Sequence, residues 1–231
     1  MSYVIPLWNP PSLAVAGSIA RFPVRNIYCI GRNYAEHAKE MGGDASKEPP
    51  FFFTKSAHAI MPDGGAMLYP LGTKNLHHEM ELVVAIGDEG TRVAAPAALA
   101  LVYGYAAGID MTRRDLQQAA REIKRPWDFG KNFEQAAPIA QIVPASQCGH
   151  LARGKIWLEV NGAMRQQADL ADMIWNVPDA IAFLSQYYTL YPGDLIMTGT
   201  PAGVGPLVAG DKVRGGIDGL GEIQVHIVAG K

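Results

Sequence analysis

Hydrophobic side chains recur at every second position through LHHEMELVVAIG, residues 76–87. Read as one strand, the segment turns His78, Met80, Leu82, Val84 and Ile86 to one face and His77, Glu79, Glu81, Val83 and Ala85 to the other. The first face is apolar and belongs against a core. The second sets two carboxylates roughly 7 Å apart along the strand, although like charges repel and acidic residues form strands poorly. Further strands are predicted in RNIYCIG (25–31), in the aromatic PPFFFTKS (49–56) and in the small-residue run LVYGYAAGID (101–110). KIWLEVNGAMRQQ alternates about Asn161-Gly162, the signature of a hairpin with a type I′ turn. GDLIMTGTPAGVG (193–205) reads as a strand running into a glycine-rich loop, and residues 210–230 as short strands with tight turns.

The period lengthens in three places. RNYAEHAKEMGG (32–43) has helix punctuation, with Asn33 as cap, Glu36 three residues later and Gly42-Gly43 as the stop. MTRRDLQQAAREI (111–123) is helical, with Thr112 and Asp115 placed to cap it, and VPDAIAFLSQYYTL (177–190) carries Pro178 in its first turn. Strands outnumber helices, and the helices interrupt irregularly. This predicts an α+β protein built on a folded-over sheet rather than a regular βαβ succession.

At 231 residues and 48% hydrophobic, the chain can bury a large core, and one domain over 1–231 is expected, with 1–24 as an N-terminal extension packing on it. The first twenty residues carry no charge, but Pro6, Pro10 and Pro11 interrupt them and no basic segment precedes them, so neither a targeting segment nor a span is expected. A net charge of -2 with scattered Lys and Arg argues against nucleic acid or a membrane surface as partner. Cys29 and Cys148 suit a reduced compartment, and the cytoplasm is expected.

A divalent cation would turn the repulsion between Glu79 and Glu81 into coordination, with Asp110 at a strand-to-helix junction as third ligand; hard oxygens suit Mg²⁺, Mn²⁺ or Ca²⁺. Two readings compete with it. One is a solvated acidic edge. The other is a two-histidine, one-carboxylate iron triad from His77, Glu79 and His226, which would make the protein an oxygenase. His37 and Glu40, three apart on one helix face, could form an acid–base pair in which the carboxylate fixes the imidazole tautomer. Arg114 and Gln117 share a face of the helix that Asp110 introduces. Lys131, among aromatics in WDFGKNF, could meet developing negative charge, and the Thr200 hydroxyl in TGTPAGVGP could meet a small anion.

Taken in order, IGRNYAEHAKEMG, NLHHEMELVVAIG, GYAAGIDMTRRDLQ, PWDFGKNFEQAAPI and GDLIMTGTPAGVGP resemble the fumarylacetoacetate hydrolase family, in its short acylpyruvase branch, over nearly the whole chain from Arg25. The resemblance implies a mixed β-sandwich roll with a few peripheral helices, a homodimer, and Mg²⁺ (or Mn²⁺ or Ca²⁺) held by Glu79, Glu81 and Asp110. It maps a catalytic pair onto His37 and Glu40, on a lid helix that orders with ligand. Arg114, Gln117, Lys131 and Thr200 fall on substrate or oxyanion positions. The family's Phe-x-Lys-Pro motif stands here as FTKS, giving Lys55 a substrate-facing role with Ser56 in place of proline. The implied reaction is hydrolysis of the C–C bond of a diketo acid, an acylpyruvate, with fumarylpyruvate giving fumarate and pyruvate in aromatic-ring breakdown. Arg32, beside the lid helix, is assigned to the substrate's second carboxylate. Oxaloacetate decarboxylation at the same site is the alternative, ahead of the oxygenase and a non-catalytic binding module.

Overall fold

The computed structural model describes residues 2–40 and 49–230. Its centre is a curled mixed sheet with edge-to-edge order Phe51–Lys55, Ile27–Gly31, Leu195–Met197, Met80–Ile86, Val102–Ile109, Ala137–Ile139 and Ile60–Pro62; Val143–Pro144 also pairs with Val102–Ile109. A second sheet runs Ala163–Asp169, Lys155–Val160, Lys212–Ile217, Gly221–Val228 and Gly65–Leu68. Thr112–Arg113, Leu76–His78 and Gly205–Leu207 form a small third sheet, and helices lie at the periphery. The expected α+β roll is what folds. No helix among the described residues is long and apolar enough to cross a membrane.

Strand Met80–Ile86 is buried along its whole length, because its two faces join different apolar clusters. Met80, Leu82, Val84 and Ile86 pack toward the second sheet with Ile156, Leu158, Val225 and Ile227. Val83 and Ala85 pack instead with Cys29, Met197, Ala106 and Leu13. Leu13 and Phe22 come from the hairpin Ser12–Ala14/Arg21–Pro23, so part of the N-terminal segment seals that face. A fully buried leucine there contributes roughly 1.5–3 kcal/mol relative to an exposed one.

Several local expectations are corrected. Residues 76–87 are not one strand: Leu76–His78 belongs to the small sheet and Met80–Ile86 to the central one, with the break at Glu79. Asn33 does not cap the Ala35–Glu40 helix with its side chain. Buried, it donates from Nδ2 to the Trp175 and Thr198 carbonyls (both 2.8 Å) and accepts from Trp175 N–H at 2.7 Å. The Gly42-Gly43 stop lies outside the described residues. The helix predicted from residue 111 begins at Arg114, without a side-chain cap. Asp115 instead accepts from the Thr73 hydroxyl and Lys74 N–H, and Thr112 is drawn into the site. The Asn161-Gly162 hairpin forms as expected, with positive φ of 53° and 79° at its two turn residues. Asn176 caps the Val177–Leu184 helix, which has Pro178 in its first turn.

Candidate metal and acid–base site

One cavity of about 490 Å³ gathers most of the candidate residues: Arg32, His37, Glu40, Glu79, Glu81, Arg114, Gln117, Lys131 and Thr200 all line it. Glu79, Glu81 and Asp110, all buried, each offer a carboxylate oxygen within 4.8 Å of the others; Glu79 and Glu81 line the cavity, and Asp110 lies behind them. Lys131 Nζ donates to Glu79 Oε2 at 2.8 Å, Asp110 Oδ2 at 2.7 Å and the Thr112 hydroxyl at 2.7 Å, which engages all three of its donors. Arg114 Nη2 meets Glu79 Oε1 at 2.5 Å, and its Nη1 donates to Gln117 Oε1 at 2.6 Å. Burial by itself would raise the Glu79 carboxyl, but Lys131 and Arg114 overcome it and hold Glu79 well below the usual carboxylate range.

Glu81 is in a different position. Gly199 N–H donates to its Oε2 at 2.8 Å, but burial, then Asp110 and Glu79, push its carboxyl well above the ordinary range. A buried triad of hard oxygens, one of them lacking sufficient cationic compensation, is a donor set that fits a divalent cation. Gly199 is needed for this approach: at φ 89° a Cβ would stand 2.7 Å from the Cβ of Asn33. The iron triad does not assemble. His226 is exposed on the second sheet, His77 Nε2 is 3.0 Å from Asn75 Oδ1, and the Glu79–Glu81–Asp110 group is the metal-type cluster found among the described residues.

His37 is buried on the Ala35–Glu40 helix, its Nδ1 3.1 Å from Glu40 Oε2. Gly203 N–H reaches both Glu40 oxygens at 3.3 Å, which anchors the carboxylate to the 199–205 loop. Thr200 Oγ1 accepts from Gln166 Nε2 at 2.7 Å, so its own proton is left to donate elsewhere. Arg32, in a positive-φ conformation (57°), has its guanidinium 5.9 Å from the Phe51 ring centroid.

Lys55 is the exception among the expected substrate contacts. Its ammonium is buried, ion-paired to Asp110 Oδ1 at 2.7 Å, and donates to the Met111 carbonyl (3.2 Å) and the Lys131 carbonyl. It braces Asp110 from below and is absent from the cavity lining. Ser56 keeps a proline-compatible φ of −59°, and its N–H donates to Asn132 Oδ1 at 2.8 Å, a bond that a proline could not make.

Sequence reasoning missed Thr112, Gln166 and the outer cavity residues Gln118, Arg121 and Trp127. Gln166 gave no signal, because the two-residue turn in regular register pairs Leu158 with Arg165; the bulge between Leu158 and Glu159 is what sets Gln166 opposite Leu158, an inward position where an amide needs partners. Those partners are Met80 N–H and His78 on one end and Thr200 and the Pro201 carbonyl on the other.

Fold and site together define an enzyme whose cavity joins a three-carboxylate cation site to a histidine–glutamate pair. The family model "Fumarylacetoacetate (FAA) hydrolase C-terminal" matches residues 26–228, and the chain belongs to this family. It is 51% identical over 184 residues to fumarylpyruvate hydrolase of a Ralstonia species, covering 80% of this chain and 95% of that one. It is 41% identical over 203 residues to mitochondrial oxaloacetate tautomerase of Mus musculus, covering 88% and 91%. The crystal structure of fumarylpyruvate hydrolase from Pseudomonas aeruginosa in complex with Mn²⁺ and pyruvate superposes with a TM-score of 0.97 at 47% identity, covering 99% of this chain and 100% of that one.

Proposed function

We propose that this enzyme is a metal-dependent hydrolase of the C–C bond in acylpyruvates, with fumarylpyruvate as substrate and fumarate and pyruvate as products. The observation that carries the reading is the placement of His37, held by Glu40, in one cavity with Glu79, Glu81 and Lys131. The 51% relative and the 0.97 neighbour, both fumarylpyruvate hydrolases, support the choice of substrate.

Glu79, Glu81 and Asp110 would hold the cation, Mg²⁺ in the cell. When bound, it supplies Lewis-acid charge beside the 2-oxo acid end of the substrate. Glu40 accepting at Nδ1 leaves His37 Nε2 to take a proton from water. The water oxygen bonds to the distal carbonyl carbon, whose π pair moves onto oxygen. Lys131, exchanging one carboxylate partner for this alkoxide, and the Gln117 amide N–H stabilise it. The alkoxide collapses, the bond to the methylene carbon breaks, and its electron pair becomes the enolate of pyruvate. The proton on His37 can then return to that carbon. Thr200 and Arg114 orient the 2-oxo acid, and Arg32 faces the acyl end. The same proposal sets the enzyme in the cytoplasm as a homodimer.

A second reading, decarboxylation of oxaloacetate, is favoured by a relative 37% identical over 208 residues, the mitochondrial oxaloacetate decarboxylase of Dictyostelium discoideum. It needs no attacking water, so one variant separates the two. His37→Ala should lower hydrolysis of fumarylpyruvate about 10²–10⁴-fold, followed as loss of the diketone's ultraviolet absorbance, while oxaloacetate decarboxylation persists. Undiminished hydrolysis would remove His37 as the base.

A further inference from the structure

The Arg114–Glu122 helix lines the cavity with Arg114, Gln117, Gln118 and Arg121, a spacing of i, i+3, i+4 and i+7 that places all four on one helix face. Burial falls along that face: Arg114 and Gln117 are buried, Gln118 and Arg121 exposed. The inner end touches the carboxylate floor through the Arg114–Glu79 ion pair. Seven residues at 1.5 Å each put Arg121 roughly 10 Å further along the axis, toward solvent.

Fumarylpyruvate is a seven-carbon chain with a carboxylate at each end. Six backbone bonds, two three-bond trans spans of 3.8 Å, separate its terminal carbons by about 7.6 Å. With the 2-oxo acid end on the floor, the far carboxylate falls in the zone that Arg121 reaches with its long side chain. Glu122 also borders this zone, and Gln118 Nε2 donates to its Oε1 at 3.1 Å along the helix surface.

Resting on the hydrolase reading above, we infer that Arg121 is a specificity-determining residue that binds the distal carboxylate of the acyl group and so selects dicarboxylic over monocarboxylic acylpyruvates. A guanidinium suits this task because its planar donors match a carboxylate in pairs.

The test compares fumarylpyruvate with acetylpyruvate, which lacks the far carboxylate, in wild type and Arg121→Gln supplied with Mn²⁺. The ratio of kcat/KM for fumarylpyruvate to that for acetylpyruvate should fall about 10- to 100-fold in the variant, the loss of a charge-assisted hydrogen bond. Fumarate should weaken as a competitive inhibitor while pyruvate does not. An unchanged ratio, or equal loss of both inhibitors, overturns the assignment of Arg121 alone. Wild type that hydrolyses neither diketo acid overturns the hydrolase reading beneath it.

Discussion

Replacing Glu81 by glutamine tests the cation site at its most exposed point in electrostatic terms. Asp110 is paired with Lys55 and Lys131, and Glu79 with Arg114 and Lys131, whereas Glu81 receives the Gly199 N–H. Its oxygen lies within 4.8 Å of both other carboxylates. At an effective dielectric of 20, unit charges at that separation repel by roughly 3.5 kcal/mol per pair. Burial and this cost together push the Glu81 carboxyl well above the ordinary range and favour its neutral form without metal, so glutamine replaces one neutral group by another of the same shape and the metal-free variant should unfold no lower than metal-free wild type. The metal response should differ sharply. At Mn²⁺ a hundredfold above its dissociation constant, binding stabilises wild type by about 2.7 kcal/mol. For a chain of this size that raises Tm by about 5–11 °C. Under the same Mn²⁺ concentration the Glu81→Gln variant should gain less than about 2 °C. Differential scanning calorimetry with and without Mn²⁺, after EDTA treatment, reads both numbers without reference to catalysis. An equal metal-induced rise in variant and wild type would refute Glu81 as a ligand. A metal-free variant melting far below wild type would refute the electrostatic account.

Gln166→Leu should lower stability by about 2–5 kcal/mol, because Met80 N–H and the Pro201 carbonyl lose buried partners together; a urea midpoint matching wild type would show that the amide is not bracing these strands. Asp115→Ala should cost about 1–2 kcal/mol, since the carboxylate ties Thr73 and Lys74 to the first turn of the Arg114–Glu122 helix. Burial acts to raise this carboxyl, but the Lys74 N–H, the Thr73 hydroxyl and the Leu116 N–H outweigh it and draw it below the usual range. The stabilisation is therefore complete above the unfolded-state value near 3.9 and is lost as pH falls through the lower folded value. Unfolding curves of wild type and variant should converge as the solution is acidified, and a constant gap would contradict the assignment.

What could be read from the chain was local. The Asn161-Gly162 turn is legible because both residues tolerate positive φ, and the helix around His37 and Glu40 because three-residue spacing fixes a face. The acidic trio was legible because two glutamates on one strand face demand a counter-charge, and Asp110 stands at the end of a strand of suitable length. What escaped depends on pairing across the fold. Asn33 looks like a cap until its side chain is seen bridging Trp175 and Thr198, more than 140 residues away. Lys55 looks like a substrate contact until the folded sheet sets it beneath Asp110. Arg121 carries no sequence signal of its own, since a helix-surface arginine gains meaning only when the cavity wall is known.

The convergence of three carboxylates follows from strand register. Met80 pairs with Ile109 and Glu81 with Gly108, so carrying the ladder one residue further sets Glu79 opposite Asp110, and the Asp110 N–H donates to the Glu79 carbonyl at 2.8 Å. Residues opposite one another share a face, and so do residues two apart on one strand. Glu79, Glu81 and Asp110 must therefore project to the same side, the side that Val83 and Ala85 make apolar one turn of the pleat later. Beyond Glu79 and Asp110 both strands leave the central sheet, and His77 re-pairs with Thr112 in the small one. That departure opens the shared face to the cavity at the point where it turns acidic. Gly108, opposite Glu81, has no room for a side chain, since a Cβ would meet Val83 at 2.6 Å. A slip of one residue in this pair would send Asp110 to the opposite face, so the same hydrophobic contacts that hold the sheet in register also hold the ligand set together.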